Sequence, residues 1–256
     1  MSANLEKIRN EFLRIKSLGF IKSNRTAKND GAIGNTFEDY LGVRENNLKD
    51  PDFEGFEVKS KKELTTSYLS LFTKSPSHPK AANAFLKNKF GQSDGDFPAL
   101  KKLNSSIFGH RWNSLYGSYK MKLEVDKREK KLILLVNDYN DNLISNAVYW
   151  SFEELEKAAS KISSLFFVSA STNIIEDVRY FHYNSAKVFL NFDFDKFLTA
   201  IKNGKIMFDI RIGSYKSGKN LGKPHDHGSS FRVKRENIGQ LYERELEIEE
   251  PHLKIR

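Results

Sequence analysis

Apolar residues in the first twenty positions recur every three or four places, at Leu5, Ile8, Phe12, Ile15 and Leu18. They predict one helix over residues 1–20, stopped by Gly19. Asn29-Asp30-Gly31 reads as a loop. Thr36-Phe-Glu-Asp39 approximates a capping box, so a second helix is expected to begin at Thr36, with Phe37, Leu41 and Arg44 on one face. The period then changes: after Pro51 and Gly55, Phe56-Glu-Val-Lys59 alternates at the strand spacing, and Tyr68–Thr73 reads as a neighbouring strand. Residues 74–113 are polar, carry Pro76, Pro79, Pro98 and many lysines, and predict a long functional loop with one short helix near 81–90.

Beyond that region, Tyr119–Val125 and Lys131–Val136 are expected to pair around a charged turn at 126–130. Ser151-Phe-Glu-Glu154 is a capping box that opens a helix to about Ile162, and Leu165–Ala170 reads as a buried strand. Asp193 starts a helix that Gly204 ends. Ile206–Ile212 and Ser230–Val233 are strands on either side of a loop rich in Gly, Lys and His, and the charged tail from Arg244 is expected to fray. Helices and strands mix without steady βαβ alternation. The fold class is therefore α/β (α+β), a mixed central sheet flanked by helices.

Composition narrows the function classes. There is no cysteine, which excludes disulfides, thiolate metal sites and a thiol nucleophile, and fits a reducing cytoplasm. No apolar run approaches the roughly 20 residues that cross a bilayer, and the first residues do not read as a signal peptide, so no membrane partner is expected. Lys plus Arg exceed Asp plus Glu by 42 to 33, a +9 excess that favours a polyanionic partner.

The chemistry concentrates in Asp52-Phe-Glu-Gly-Phe-Glu57-Val-Lys59. Residues two apart on a strand share a face, so Glu57 and Lys59 project together while Phe56 and Val58 turn to the core. Asp52 comes back toward them across the Gly55 bend. Two carboxylates and the Val58 carbonyl are hard oxygen donors of the kind Mg²⁺ takes, and a lysine beside them orients or deprotonates a water. That set suits phosphodiester cleavage, with Glu38 on the preceding helix as an outer acid. The same string also arises as the solvated face of an amphipathic strand.

A second set lies near the C-terminus. Asp209 and Arg211 share a strand face, and His225, Asp226, His227 and Arg232 follow from the adjacent loop and strand. Arg and His donate to guanine and Asp accepts from cytosine, so the set suits base readout at a G·C-dominated site in double-stranded DNA. Lys74, Lys216 and Lys219 are candidates for the phosphate backbone.

These segments resemble the MvaI/BcnI restriction endonucleases, of the PD-(D/E)xK type and related in fold to the MutH mismatch-repair nickase. The resemblance runs through Thr36-Phe-Glu-Asp-Tyr-Leu41, Glu45-Asn-Asn-Leu48, Pro51-Asp-Phe53 and Glu57-Val-Lys59. It continues in Leu71–Pro76, Val148–Phe152, Tyr183–Ala186, Asp209–Gly213, Lys216–Lys219, His225–Gly228 and Phe231-Arg232. It implies a restriction-endonuclease-like core and a second DNA-recognition lobe forming a clamp, approximately residues 1–140 and 141–256, with interleaving allowed. It also implies Mg²⁺ dependence, a CC-N-GG type of site, action as a monomer that nicks one strand at a time, and the cytoplasm of a prokaryote.

Other readings stay open on the residues alone. A MutH-like repair nickase shares the catalytic core, and a non-catalytic DNA-binding module shares the basic surface. Gly213–Asn220 nearly spells a phosphate-binding loop, but Asn220 stands where a hydroxyl is needed and Gly222, Pro224 and Gly228 oppose a following helix. His225-Asp-His227 lacks the third and fourth ligands of a zinc site.

Overall fold

The computed structural model describes residues 3–25, 31–43, 51–63 and 65–248. Arg44, the Glu45–Leu48 block, most of the Asn29–Gly31 turn and the tail from residue 249 lie outside the described residues. The chain forms two compact units that share it discontinuously: residues 1–67, 161–192 and 242–256 in one, residues 68–160 and 193–241 in the other. A single boundary near residue 140 therefore does not divide the chain, because the strands that complete the first unit's sheet come from after residue 160.

The first unit opens with α1 (Ala3–Ser17), which buries Ile8, Phe12 and Ile15 along one face. A short strand β1 (Ile21–Lys22) leads to α2 (Ala32–Leu41). This helix starts four residues before the expected Thr36. Thr36 is fully inside it and buried, its hydroxyl bonded to the Ser23 hydroxyl at 3.1 Å rather than capping an end. Tertiary burial extends the helix upstream of the local signal: Ala32 and Ile33 are both buried, and the Ile33 carbonyl accepts from the Tyr183 hydroxyl at 2.7 Å, while Phe37 one turn on packs 4.8 Å from the Tyr183 ring. Gly42 closes α2 in the left-handed conformation at φ 75°.

Next comes β2 (Glu57–Lys62), and the chain then enters the second unit through β3 (Leu69–Phe72) and α3 (Ala82–Phe90). Residues 74–113 are not one long loop. Besides α3 they hold β4 (Gln92–Ser93) and β5 (Lys101–Phe108). In β5 only Leu103, Ile107 and Phe108 are apolar, too few for a readable alternation; its pairing with a later strand makes it extended. β6 (Asn113–Leu115), β7 (Tyr119–Asp126), β8 (Lys131–Asp138) and β9 (Leu143–Ser151) form an antiparallel sheet in that order. The β7–β8 pair agrees with the sequence reading. The Ser151 hydroxyl caps α4 (Phe152–Ala159) by accepting from the Glu154 amide at 3.3 Å.

A 3₁₀ turn, Ser160–Ile162, returns the chain to the first unit. There β10 (Ser164–Ile175) runs parallel to β2 and antiparallel to β11 (Val178–Phe192). The second unit resumes with α5 (Phe194–Lys202), whose cap is Asp193, then β12 (Ile206–Ser214), β13 (Pro224–Asp226) and β14 (Ser230–Val233). Finally β15 (Tyr242–Glu247) pairs with β11, so this part of the tail is ordered by the sheet rather than frayed.

The first unit's sheet has the order β1-β11-β10-β2, with β15 also on β11. It is mixed, as the pattern predicts. Leu165 to Val168 are all buried, as a central strand covered on both faces requires. In the second unit β3-β14-β12-β5-β4 form the larger sheet, with β13 beside β12. Trp150 anchors its core, 4.7 Å from Phe208 and 5.6 Å from Phe231, with its indole N–H satisfied by the Lys74 carbonyl.

Candidate active site

Asp52 reaches β2 because the chain doubles back in two residues. Phe53 and Phe56 exchange backbone hydrogen bonds of 3.0 and 2.8 Å, and Glu54 and Gly55 between them both take positive φ, 50° and 82°. Two successive left-handed residues give the tight turn whose twist suits a strand pair, and Gly55 takes that conformation without a steric penalty. Asp52 is thereby held beside the start of β2, where its Oδ2 accepts from the Val58 amide at 3.0 Å.

Glu57 is nearly sealed, its side chain 3% exposed, with Phe56 and Val58 buried on either side. Its Oε1 accepts from the Lys59 ammonium. Its Oε2 is buried and makes no well-aligned hydrogen bond. Beside that oxygen lies a group that strand periodicity could not reveal. Lys161 places its ammonium 3.1 Å from Glu57 Oε2 and 3.5 Å from Asp52 Oδ1. The reason is topological: β10 pairs in parallel with β2, Leu165 opposite Glu57, so the residues just before β10 arrive at the start of β2.

Four charges thus gather at one strand end, two negative and two positive. Burial raises the Glu57 pKa above the carboxylate range, Lys59 opposes, and Asp52 adds to the rise. Burial alone would depress Lys161, but Glu57 and Asp52 outweigh it and hold that ammonium's pKa up. Tyr242, whose hydroxyl donates to the Ile162 carbonyl at 2.9 Å, is raised by burial with a contribution from Glu57. Glu38 is half-buried on α2, the helix packed against β2.

The donors fit a hard divalent cation. Asp52 Oδ1 and Glu57 Oε2 both turn to one cation already, and a buried carboxylate oxygen without an aligned donor is costly unless something positive occupies it.

In the second unit, Asp209 is 6% exposed on β12 and collects its neighbours. Its Oδ1 accepts from the Ser106 hydroxyl at 3.0 Å. Its Oδ2 meets Arg211 Nε at 2.7 Å and Arg232 Nε at 3.2 Å. About three of a carboxylate's four acceptor positions are thus filled by protein. Arg211 and His227 line an open depression of about 580 Å³ with Asn104, Ser105 and Ser106. His225 stacks on Tyr215 at 4.3 Å and leans on His227 at 4.2 Å. Asp226 closes the turn before β14, accepting from the amides of Gly228 and Ser229 and from the Asn83 side chain.

The three lysines assigned to phosphate are placed differently. Lys74 pairs with Glu154 at 3.2 Å. Lys216 lies 3.5 Å from Asp96, 3.7 Å from Asp94 and over the Phe97 ring. Lys219 is exposed in the 3₁₀ turn Gly218–Asn220.

A mixed sheet with two acids and a lysine at one strand end defines a nuclease-like class of protein. The sequence profile of the MvaI/BcnI restriction endonuclease family matches residues 9–242, and the chain belongs to that family. Among solved structures it is similar to a restriction endonuclease MvaI–cognate DNA substrate complex, with 35% identity and a TM-score of 0.86 over 97% of this chain and 100% of that one. It is also similar to restriction endonuclease MvaI in the absence of DNA, with 35% identity and a TM-score of 0.66 over 97% of this chain and 99% of that one. No curated protein matches. The chain is thus a type II restriction endonuclease, a DNA-cleaving enzyme.

Proposed function

We propose that the protein hydrolyses a phosphodiester of double-stranded DNA at a short G·C-rich site of the CC-N-GG kind, one strand at a time, as a Mg²⁺-dependent monomer. The observation that carries the catalytic half is the convergence of Asp52, Glu57 and Lys59 on one strand end. Asp52, Glu57 and the Val58 carbonyl would hold the cation, which when bound would neutralise charge developing on the phosphoryl oxygens. Lys59 orients the attacking water, and its bond to Glu57 Oε1 keeps its ammonium aimed at the cluster. Glu38 tunes the charge from α2.

Base readout falls to the Asp209 cluster. Asp209 holds Arg211 through Nε, which leaves the outer edge of that guanidinium to donate to guanine O6 and N7, while Arg232, paired with the same carboxylate, also donates to the Ser230 hydroxyl and the Gly228 carbonyl. His225, stacked on Tyr215, and His227 beside it add donors, and Asp226 shapes their turn. Lys74, Lys216 and Lys219 meet phosphates.

Supercoiled plasmid with Mg²⁺ is expected to be nicked and then linearised at fixed positions. Asp52→Ala, Glu57→Ala and Lys59→Ala should each abolish cutting and retain site-specific binding in Ca²⁺. Cutting retained by any of them removes that residue from the mechanism, and sequencing the fragment ends tests the site.

A further inference from the structure

Lys161 has no part in the mechanism just described, yet it sits nearest the oxygens assigned to the cation. Resting on that assignment, we propose that Lys161 is a resident counter-ion of the metal-free site, which a divalent cation must displace in order to bind. Its ammonium is 3.1 Å from Glu57 Oε2 and 3.5 Å from Asp52 Oδ1, so it bridges the two acids from β2 and from the turn before it. Without it, Asp52 and Glu57 would face each other with Lys59 alone to offset them, Glu57 being almost wholly buried.

The ammonium and a metal ion would contend for the same two oxygens. A Mg²⁺ ion lies about 2.1 Å from its oxygen ligands, so one bound to Glu57 Oε2 would stand no more than about 5 Å from the present position of the Lys161 nitrogen. Two cations at that separation in a poorly solvated site repel strongly. Lys161 is also free to leave. Its side chain is 26% exposed and has a flexible four-carbon stem, whereas Asp52 is tied to the Val58 amide and Glu57 to Lys59. The acids stay in register, and only the ammonium swings away. The arrangement keeps the carboxylates neutralised and correctly spaced before metal arrives, at the cost of weaker metal binding.

The test is isothermal titration of the metal-free protein with Mn²⁺, the site being defined by the heat lost in Asp52→Ala. Lys161→Met is expected to bind Mn²⁺ about tenfold more tightly than the wild type and to gain more in Tm on saturation. Lys161→Arg, which keeps the charge, should stay near the wild-type affinity. If Lys161→Met does not fold, Lys161→Gln is read in its place with the same expected sign. Unchanged or weaker Mn²⁺ binding by the folded neutral variant overturns the proposal while leaving the metal site standing. Absence of Mn²⁺ binding in the wild type removes both.

Discussion

Burial raises the pKa of Glu57, and Asp52 pushes the same way against the pull of Lys59. The folded chain therefore holds this proton more tightly than the unfolded chain does. The sign follows from linkage: the contribution of Glu57 to stability is full below the ordinary value of 4.5 and is lost as pH climbs through the raised one. For Lys161, also raised, the contribution is present below 10.5 and is lost as pH rises through its folded value. In catalysis a proton and a metal ion compete for the same Glu57 carboxylate. The acid limb of the cleavage–pH profile should lie above the ordinary glutamate range and move to lower pH as Mg²⁺ is raised. Initial rates of plasmid nicking, measured across pH at low and at saturating Mg²⁺, check this. A limb fixed at one pH in both series would mean that Glu57 is not the titrating group.

At the scale of elements, the approach of β12 to the loop that follows it depends on a missing side chain. A Cβ on Gly213 would lie 2.7 Å from His227 Nε2, inside contact distance. His227 is exposed, so its ring moves rather than the strand. Gly213→Ala should keep the wild-type Tm within a few degrees and still lose at least tenfold in preference for its cognate site over random DNA, measured by competition binding in Ca²⁺. Unaltered preference would take His227 out of base readout. Gly213 stands in the sequence as one glycine of a loop-like run, and its role appears only when β13 folds back to pair with β12. The same physics sorts what was legible from what was not. Strong local signals mark α1, the β7–β8 hairpin, the helices opened by Ser151 and Asp193, and the Asp52–Lys59 motif. β11 was missed because its turn, Glu176-Asp177, takes positive φ at both residues without the glycine that usually announces it. Lys161 was missed because only the parallel β2–β10 pairing distinguishes it from the other lysines.

For the whole molecule, DNA affinity responds to salt through the phosphates that its cations neutralise, not through the +9 net charge as such. Each phosphate neutralised on duplex DNA adds about 0.9 to the slope of log affinity against log salt, so a lysine counts by the contact it makes, not by its charge alone. Lys219 is exposed, whereas Lys74 is held 3.2 Å from Glu154 and must exchange one anion for another to reach a phosphate. Exposed pairs of that kind are worth about 1 kcal/mol or less, so exchange is allowed, but the counterion released to solvent is partly offset by a carboxylate that takes one up. Lys219→Ala should therefore lower the slope by about 0.9, and Lys74→Ala should lower it by clearly less. Fluorescence anisotropy on a cognate duplex in Ca²⁺, titrated with NaCl, separates the two. An equal drop in both variants would show that Glu154 takes up no counterion when its pair with Lys74 opens on DNA, so that the two phosphate contacts count alike.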